Sequence, residues 1–122
     1  IDHLVYASRD LPRASAAIGE LLGVLPAPGG RHIGHGTYNE LLSLGGDTYL
    51  EVIGPDPTQS GLDGPLPFGI DDLIEPALVA WCVRPRRPLS EIVSEARSAG
   101  IELGEVTHMF DAVLMECCWN GR

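Results

Sequence analysis

The alternation of apolar and polar residues at the start of the chain predicts a strand followed by a helix. Residues 1–7, IDHLVYA, alternate with the period of two that a half-buried strand shows, and His3 lies on the apolar, odd-numbered face. Residues 10–23 then carry apolar positions at helical spacing. Asp10 is a suitable N-cap and Gly23 a suitable terminator, so both ends of this helix can be read from the sequence.

Three further strands are predicted before the chain reaches a proline-rich stretch. A short strand near Val24–Ala27 precedes a loop, PGGRHIGHG, and a second strand covers Thr37–Leu44. The pair Gly45-Gly46 predicts a tight hairpin turn into GDTYLEVIGP, residues 46–55. This last strand places a carboxylate, Glu51, on one face among apolar neighbours. The predicted order is β-α-β-β-β.

The same order then begins again. Residues 55–76 are rich in proline and glycine and predict a linker with one short turn of helix. Residues 77–83 predict a strand and residues 88–99 a second helix. We therefore divide a single domain into a first unit, residues 1–54, and a second unit, residues 77–122.

The offset between the units indicates that the second one is incomplete. Gly100 ends the second helix 77 residues after Gly23 ends the first. DAVLMECCW, residues 111–119, predicts a further strand of the second unit. The counterpart of Glu51 falls beyond residue 122, so the fourth strand of the second unit is not in this sequence.

Composition narrows the possible partners. A chain of 122 residues forms one domain, and its net charge of −9 argues against nucleic acid or an anionic membrane. It has no lysine, which excludes Schiff-base chemistry on this chain. Three cysteines, two of them adjacent, do not form a secreted disulfide framework, so we expect a cytoplasmic protein with reduced thiols.

His3 and Glu51 form the most informative pair of polar residues. Either could be structural: a glutamate on the solvated face of an edge strand, and a histidine satisfied within the core. Together they could bind Fe(II), Mn(II), Ni(II) or Zn(II) with positions left open for substrate. Two ligands do not hold such an ion firmly, so the metal interpretation requires a third, with His32, His35 and Glu116 as candidates.

Two stretches resemble a known superfamily. DHLVYASRDL, PGGRHIGHGTYNELLSLGGDTYLEVIGPDP and the β-α-β-β-β order are similar to the glyoxalase/bleomycin-resistance/dioxygenase (vicinal oxygen chelate) superfamily, in its glyoxalase-like domain branch. The resemblance implies an α+β fold in which paired βαβββ units form a curved mixed sheet around a cup, with the helices on the convex side. It also implies that His3 and Glu51 are metal ligands. Their second-unit counterparts include no ligand, since His3 corresponds to Ala80 or a neighbour.

The resemblance implies an enzyme of the lyase, isomerase or dioxygenase type that acts on a small oxygenated molecule, with a divalent metal and with Glu51 as ligand or base. An alternative is a metal-free domain that binds or sequesters small molecules. A third is an interaction module whose unfinished sheet pairs with another chain, and we expect a homodimer. The candidate substrate-binding residues are His32, His35, Tyr38, Asn39, Tyr49 and Trp81.

Overall fold

A computed structural model describes residues 1–103 of the chain. The elements are β1 (His3–Ala7), α1 (Leu11–Leu22), β2 (Ala27–His32), β3 (Thr37–Gly45), β4 (Thr48–Pro55), a 3₁₀ helix (Pro67–Asp72), β5 (Ala77–Cys82) and α2 (Leu89–Ser98). The predicted strand at 111–119 and the candidate ligand Glu116 lie outside the described residues.

The five strands form one mixed sheet in the order β2-β3-β4-β1-β5. β1 runs parallel to β4, while the other neighbouring pairs are antiparallel. The α+β class expected from the sequence is confirmed. Because β1 lies between β4 and β5, the first and last strands of the first unit are direct neighbours, and their side chains can meet.

The position of β2 differs from the prediction. The expected short strand at Val24–Ala27 was wrong, since β2 covers Ala27–His32, most of it in the stretch expected to be a loop. Proline and two glycines give this segment low strand propensity, which is why the pattern does not show it. Tertiary contacts hold it instead: it pairs with β3, and the Gly30 N–H donates to the Asn39 side-chain oxygen over 2.7 Å.

The helix α1 covers one face of the sheet, called the outer face here. The Asp10 carboxylate accepts a hydrogen bond from the Arg13 N–H over 3.1 Å, and Gly23 ends the helix with a φ of 74°. Both predicted ends are confirmed. The apolar stripe of α1 packs against the outer side chains of β3 and β4, in a cluster of Leu11, Ala14, Leu42, Leu50 and Val52.

The second helix is also confirmed, but it is more exposed. The least exposed residues of α2 are the four predicted for its apolar stripe, Leu89, Ile92, Val93 and Ala96, and none of them is fully buried. Within residues 1–103, no helix is long and apolar enough to cross a membrane.

The segment between β4 and β5 contributes to the core of the first unit. Its predicted helical turn is confirmed as the 3₁₀ helix, and Ile70 in that turn is fully buried. Ile70 packs in one cluster with Val5, Ala7 and Ile53, on the face of the sheet opposite to α1. This inner face is therefore closed by the 3₁₀ helix at one end and occupied by polar side chains at the other.

Gly54 lets α1 approach β4, and we expect Gly54→Ala to destabilise the domain by about 1–3 kcal/mol, the usual range for overpacking. A Cβ atom at Gly54 would lie 2.7 Å from the Leu11 Cβ and 2.9 Å from the Ser8 carbonyl oxygen, neither of which can move without shifting backbone. Gly30→Ala is a matched control, since a Cβ there meets nothing within 4 Å. Denaturant unfolding measures both, and equal free energies of unfolding would contradict this account.

Candidate functional site

His3 and Glu51 are diagonal neighbours on the inner face. In the parallel ladder His3 lies opposite Tyr49, and Val5 lies opposite Glu51. The His3 Nε2 and the Glu51 Oε2 are 3.7 Å apart. His3 is only 3% exposed and Glu51 only 8%. The predicted convergence of these two side chains is confirmed, and the neighbouring positions of β1 and β4 are its cause.

Asp2 fixes the orientation of the His3 ring. Its Oδ2 lies 2.9 Å from the His3 Nδ1, and its other oxygen forms an ion pair with Arg84. Burial raises the pKa of Asp2, but the hydrogen bond to His3 and the charge of Arg84 together bring that pKa below its ordinary value. An ionised carboxylate only accepts hydrogen bonds, so the His3 Nδ1 carries a proton and donates a hydrogen bond to Asp2. The Nε2 then faces Glu51, and the Tyr49 ring stacks on the imidazole at 4.6 Å.

Asn39 uses its side-chain amide to hold two of the candidate residues. Its Nδ2 donates to the Glu51 Oε1 over 2.5 Å and lies 3.2 Å from the His32 Nε2. The Asn39 Oδ1 accepts from the Gly30 N–H, which fixes the orientation of the amide. Since an amide nitrogen only donates, the His32 Nε2 accepts the second hydrogen bond. Asn39 therefore orients Glu51 and His32.

His32 is the third polar group of the site. Its Nδ1 lies 2.8 Å from the Thr37 hydroxyl oxygen, and its Nε2 lies 3.7 Å from the Glu51 Oε1. Burial lowers the pKa of His32 below its ordinary value; the charge of Glu51 raises that pKa in part, and His35 lowers it further. His32 is thus neutral near pH 7, with a proton on Nδ1 and a lone pair on Nε2.

The two oxygens of Glu51 differ in their surroundings. Oε1 accepts the hydrogen bond from Asn39. In the described part of the chain, Oε2 accepts no hydrogen bond and faces the His3 Nε2 across 3.7 Å. That separation is too long for a hydrogen bond, and it leaves one carboxylate oxygen available beside an imidazole nitrogen. Such a pair can accept a proton from a bound molecule or hold a cation.

The His3 Nε2 and the Glu51 Oε2 are suitable in type and separation as two donors to one divalent ion, because each donor lies about 2.1 Å from such a metal. Nowhere in residues 1–103 do three His, Cys, Asp or Glu side chains form a group able to hold a metal. The His32 Nε2 is already engaged by Asn39. On β5, Ala80 lies opposite Val5 and contributes only a methyl group.

The other candidate residues are divided between the two faces. Tyr49 lies at the site with His32 and Asn39, whereas His35 is exposed in the β2–β3 turn. Tyr38 packs in the outer cluster below α1. Trp81 lines an apolar cleft of about 430 Å³ that it shares with Leu4, also on the outer face. The structure therefore brings three of the six together with Glu51.

Asp2 and Thr37 are the polar partners that the sequence did not indicate. Asp2 directly precedes His3, and neighbouring residues within a strand point to opposite faces. Asp2 reaches the same ring because it lies one residue before β1 begins. The only signal in the sequence for Thr37 was its place as the first residue of a predicted strand. Its position opposite His32 depends on β2, which the sequence did not predict.

Tyr49 makes the stability of the domain depend on pH in the alkaline range. Burial, followed by the negative charges of Glu51 and Asp2, raises the pKa of Tyr49 to about 12. In the unfolded chain the phenol ionises near pH 10, so between these values only the unfolded state loses the proton. We therefore expect the free energy of unfolding to fall as the pH rises from about 10 to about 12.

Denaturant unfolding across this range in the presence of a chelator measures that fall. The chain has no lysine to titrate there. Tyr49→Phe should reduce the fall, and what remains includes a contribution from Tyr38, whose pKa is also raised by burial. Tyr6→Phe, on the outer face, should leave the fall as it is in the parent protein. A Tyr49→Phe variant with the same slope as the parent protein would contradict the assignment.

The mixed sheet, with α1 on its outer face and with His3 and Glu51 on its inner face, defines an α+β domain. The chain is similar in fold to the crystal structure of methylmalonyl-CoA epimerase from Mycobacterium tuberculosis, with a TM-score of 0.65 and 20% sequence identity over 92% of this chain and 72% of that one. The glyoxalase-like domain family matches residues 1–113, and the chain belongs to that family. Comparison with curated proteins finds no significant match.

Proposed function

We propose that this domain is an isomerase-type enzyme that moves a proton on a carbon next to a carbonyl group of a small oxygenated molecule, with Glu51 as the base. The observation that carries the proposal is the asymmetry of Glu51: Asn39 holds Oε1, while Oε2 lies beside the His3 Nε2. A base of this kind needs a fixed carboxylate with one oxygen open to the substrate.

In the proposed reaction the Glu51 Oε2 takes the proton from the carbon. The electron pair of the broken C–H bond moves into the bond to the carbonyl carbon, and negative charge gathers on the carbonyl oxygen. The His3 Nε2, when protonated, donates a hydrogen bond to that oxygen, and Asp2 balances the charge of the imidazolium. The planar enolate then turns over within the site, and the protonated Glu51 carboxyl returns its proton to the opposite face of the carbon, which completes the isomerisation and leaves Glu51 as a carboxylate again.

A second candidate role for Glu51 is that of a metal ligand together with His3, for Zn, Ni, Mn or Fe. The hydrogen bond between the His3 Nδ1 and Asp2 favours it, because metal-binding histidines usually donate their other ring N–H to a carboxylate or carbonyl. A divalent ion bound there supplies a Lewis acid that polarises a substrate oxygen. Since residues 1–103 supply no third side chain of this kind, the other positions around such an ion would be left for water, for substrate or for ligands beyond the described residues.

Elemental analysis of protein purified without chelator tests the metal role. We expect close to one equivalent of metal in the parent protein and a loss of most of it in His3→Ala and Glu51→Gln. Glu40→Gln is the matched control, since Glu40 lies on the outer face and accepts a hydrogen bond from Ser15. Equal metal content in all four proteins would remove the metal role and leave Glu51 as a base alone.

Hydrogen–deuterium exchange at carbon tests the reaction itself. Methylmalonyl-CoA is the first probe, because the similar solved structure is an epimerase of that compound; smaller 2-methyl thioesters and α-hydroxy ketones complete the panel. In deuterated water, NMR should show enzyme-dependent loss of the signal from the C–H next to the carbonyl. Binding of a probe without any exchange would instead favour the metal-free binding domain.

We also propose that the domain acts as a homodimer. Within residues 1–103, β5 is the last strand of the sheet, and its outer edge pairs with no strand. An open edge invites pairing with another chain. Sedimentation at tens of micromolar should show twice the monomer mass, and a well-behaved monomer would contradict this proposal.

A further inference from the structure

The segment directly after β4, Asp56–Gln59, makes side-chain contacts with the β2–β3 turn. The Gln59 Nε2 donates to the His32 carbonyl oxygen over 3.3 Å, and its Oε1 accepts from the Gly34 N–H over 2.9 Å. Both ends of this one amide are thus bonded to the backbone of the turn that follows His32. The sequence indicated only a linker at this point.

Asp56 holds Gln59 in that position. Its side chain is buried, with the residue only 5% exposed. The Asp56 Oδ2 accepts from the Gln59 Nε2 over 2.9 Å, and Oδ1 accepts from both the N–H and the hydroxyl of Thr58. The Asp56 N–H donates to the Gly36 carbonyl oxygen over 2.8 Å, at the far end of the same turn. The segment therefore forms hydrogen bonds with both ends of the turn.

Arg31 adds a contact on the other side of His32. Its guanidinium donates to the Thr58 hydroxyl oxygen over 2.9 Å and lies 3.7 Å from the Asp56 carboxylate. The backbone from His32 to Gly36 is thus bonded to Gln59 and Asp56, and on the other side of His32 the Arg31 side chain contacts Asp56 and Thr58. Within residues 1–103 the hydrogen-bond partners of the imidazole are Thr37 and Asn39, and the ring can keep both only while its backbone stays in place.

We propose that Asp56 and Gln59 are positioning residues for His32, which fix the ring in the tautomer that bears the proton on Nδ1. In that tautomer the His32 Nε2 accepts from Asn39, so the Asn39 amide stays aimed at the Glu51 Oε1. If the turn loosens, the His32 ring is no longer held in place, and the Asn39 Nδ2 loses its hydrogen bond to the His32 Nε2. Glu51 then loses its fixed orientation. The catalytic part of this inference rests on the proposed function, whereas the tautomer can be measured without any substrate.

The test compares Gln59→Ala with Ser60→Ala, an exposed neighbour, by ¹⁵N NMR of the histidine rings at one fixed pH. In the parent protein and the control, the two ring nitrogens of His32 should show one protonated and one unprotonated signal. In Gln59→Ala the two signals should move toward each other as the tautomers mix, and the Gly34 amide should exchange with solvent at least tenfold faster. Gln59→Glu keeps the acceptor for the Gly34 N–H, so the exchange rate of the Gly34 amide should change less in this variant.

Unchanged His32 signals in folded Gln59→Ala would overturn the inference. If that variant does not fold, Gln59→Glu decides the question: it lacks the donor to the His32 carbonyl oxygen, so the two His32 signals should still move toward each other, and unchanged signals would overturn the inference. Carbon–deuterium exchange on methylmalonyl-CoA or another accepted probe adds a separate readout: kcat should fall about tenfold with KM unchanged. Failure of the parent protein to exchange any probe would contradict the proposed function, yet it would not alter the NMR result.

Discussion

Glu51→Gln should reduce carbon–deuterium exchange by about 100-fold or more, within the range that a general base contributes. The substitution preserves the shape of the side chain and an oxygen for the Asn39 hydrogen bond, but it removes the basic Oε2. The rate of loss of the substrate C–H signal in deuterated water measures the effect. We expect the fall in kcat, because the C–H bond breaks only after the substrate is bound.

Glu40→Gln serves as the control for the chemical change alone. Glu40 lies on β3 opposite Val52, with its side chain on the outer face, where it accepts a hydrogen bond from Ser15. The Glu40→Gln variant should catalyse carbon–deuterium exchange at the rate of the parent protein. Exchange by Glu51→Gln at more than a tenth of the parent rate would show that another group is the base.

Ile70→Ala should destabilise the domain by about 2–5 kcal/mol, the usual cost of truncating a fully buried isoleucine. Ile70 is 0% exposed and fills the space between the 3₁₀ helix and the inner face, against Val5 and Ile53. Removal of three carbons there leaves a cavity that the sheet cannot close. Denaturant unfolding followed by circular dichroism gives the free energy of unfolding.

Ile74→Ala makes the same chemical change four residues later, at a side chain that is 96% exposed. It should alter the free energy of unfolding by less than about 0.5 kcal/mol, as surface substitutions usually do. If Ile70→Ala is equally mild, the 3₁₀ helix is not part of the cooperative fold, and the inner face is open at that end in solution.

The sequence was sufficient to predict the parts of the site that lie on regular, amphipathic elements. Alternation in β1 and β4 placed His3 and Glu51 each on a defined face, and the structure puts both on the inner face. The caps Asp10 and Gly23 fixed α1 to within a residue, because side-chain and backbone requirements at helix ends are local.

The parts that could not be predicted depend on contacts between distant segments. β2 has proline and glycine where strands have branched residues, and only pairing with β3 makes it a strand. Gln59 reaches His32 across 27 residues of sequence, and no local pattern marks such a contact. Ile70 was placed in a linker because a single apolar residue in a proline-rich stretch carries no periodicity.

The parallel pairing of β1 with β4 sets the order in which the site can assemble during folding. β3 and β4 are joined by a tight turn, so the Asn39–Glu51 contact closes a loop of about a dozen residues and can form early. The contact between His3 and Glu51 joins residues 48 positions apart and therefore closes a much longer loop. Long-range parallel pairing of this kind is slow. We therefore expect Glu51 to acquire the Asn39 hydrogen bond early in folding and the contact with His3 late.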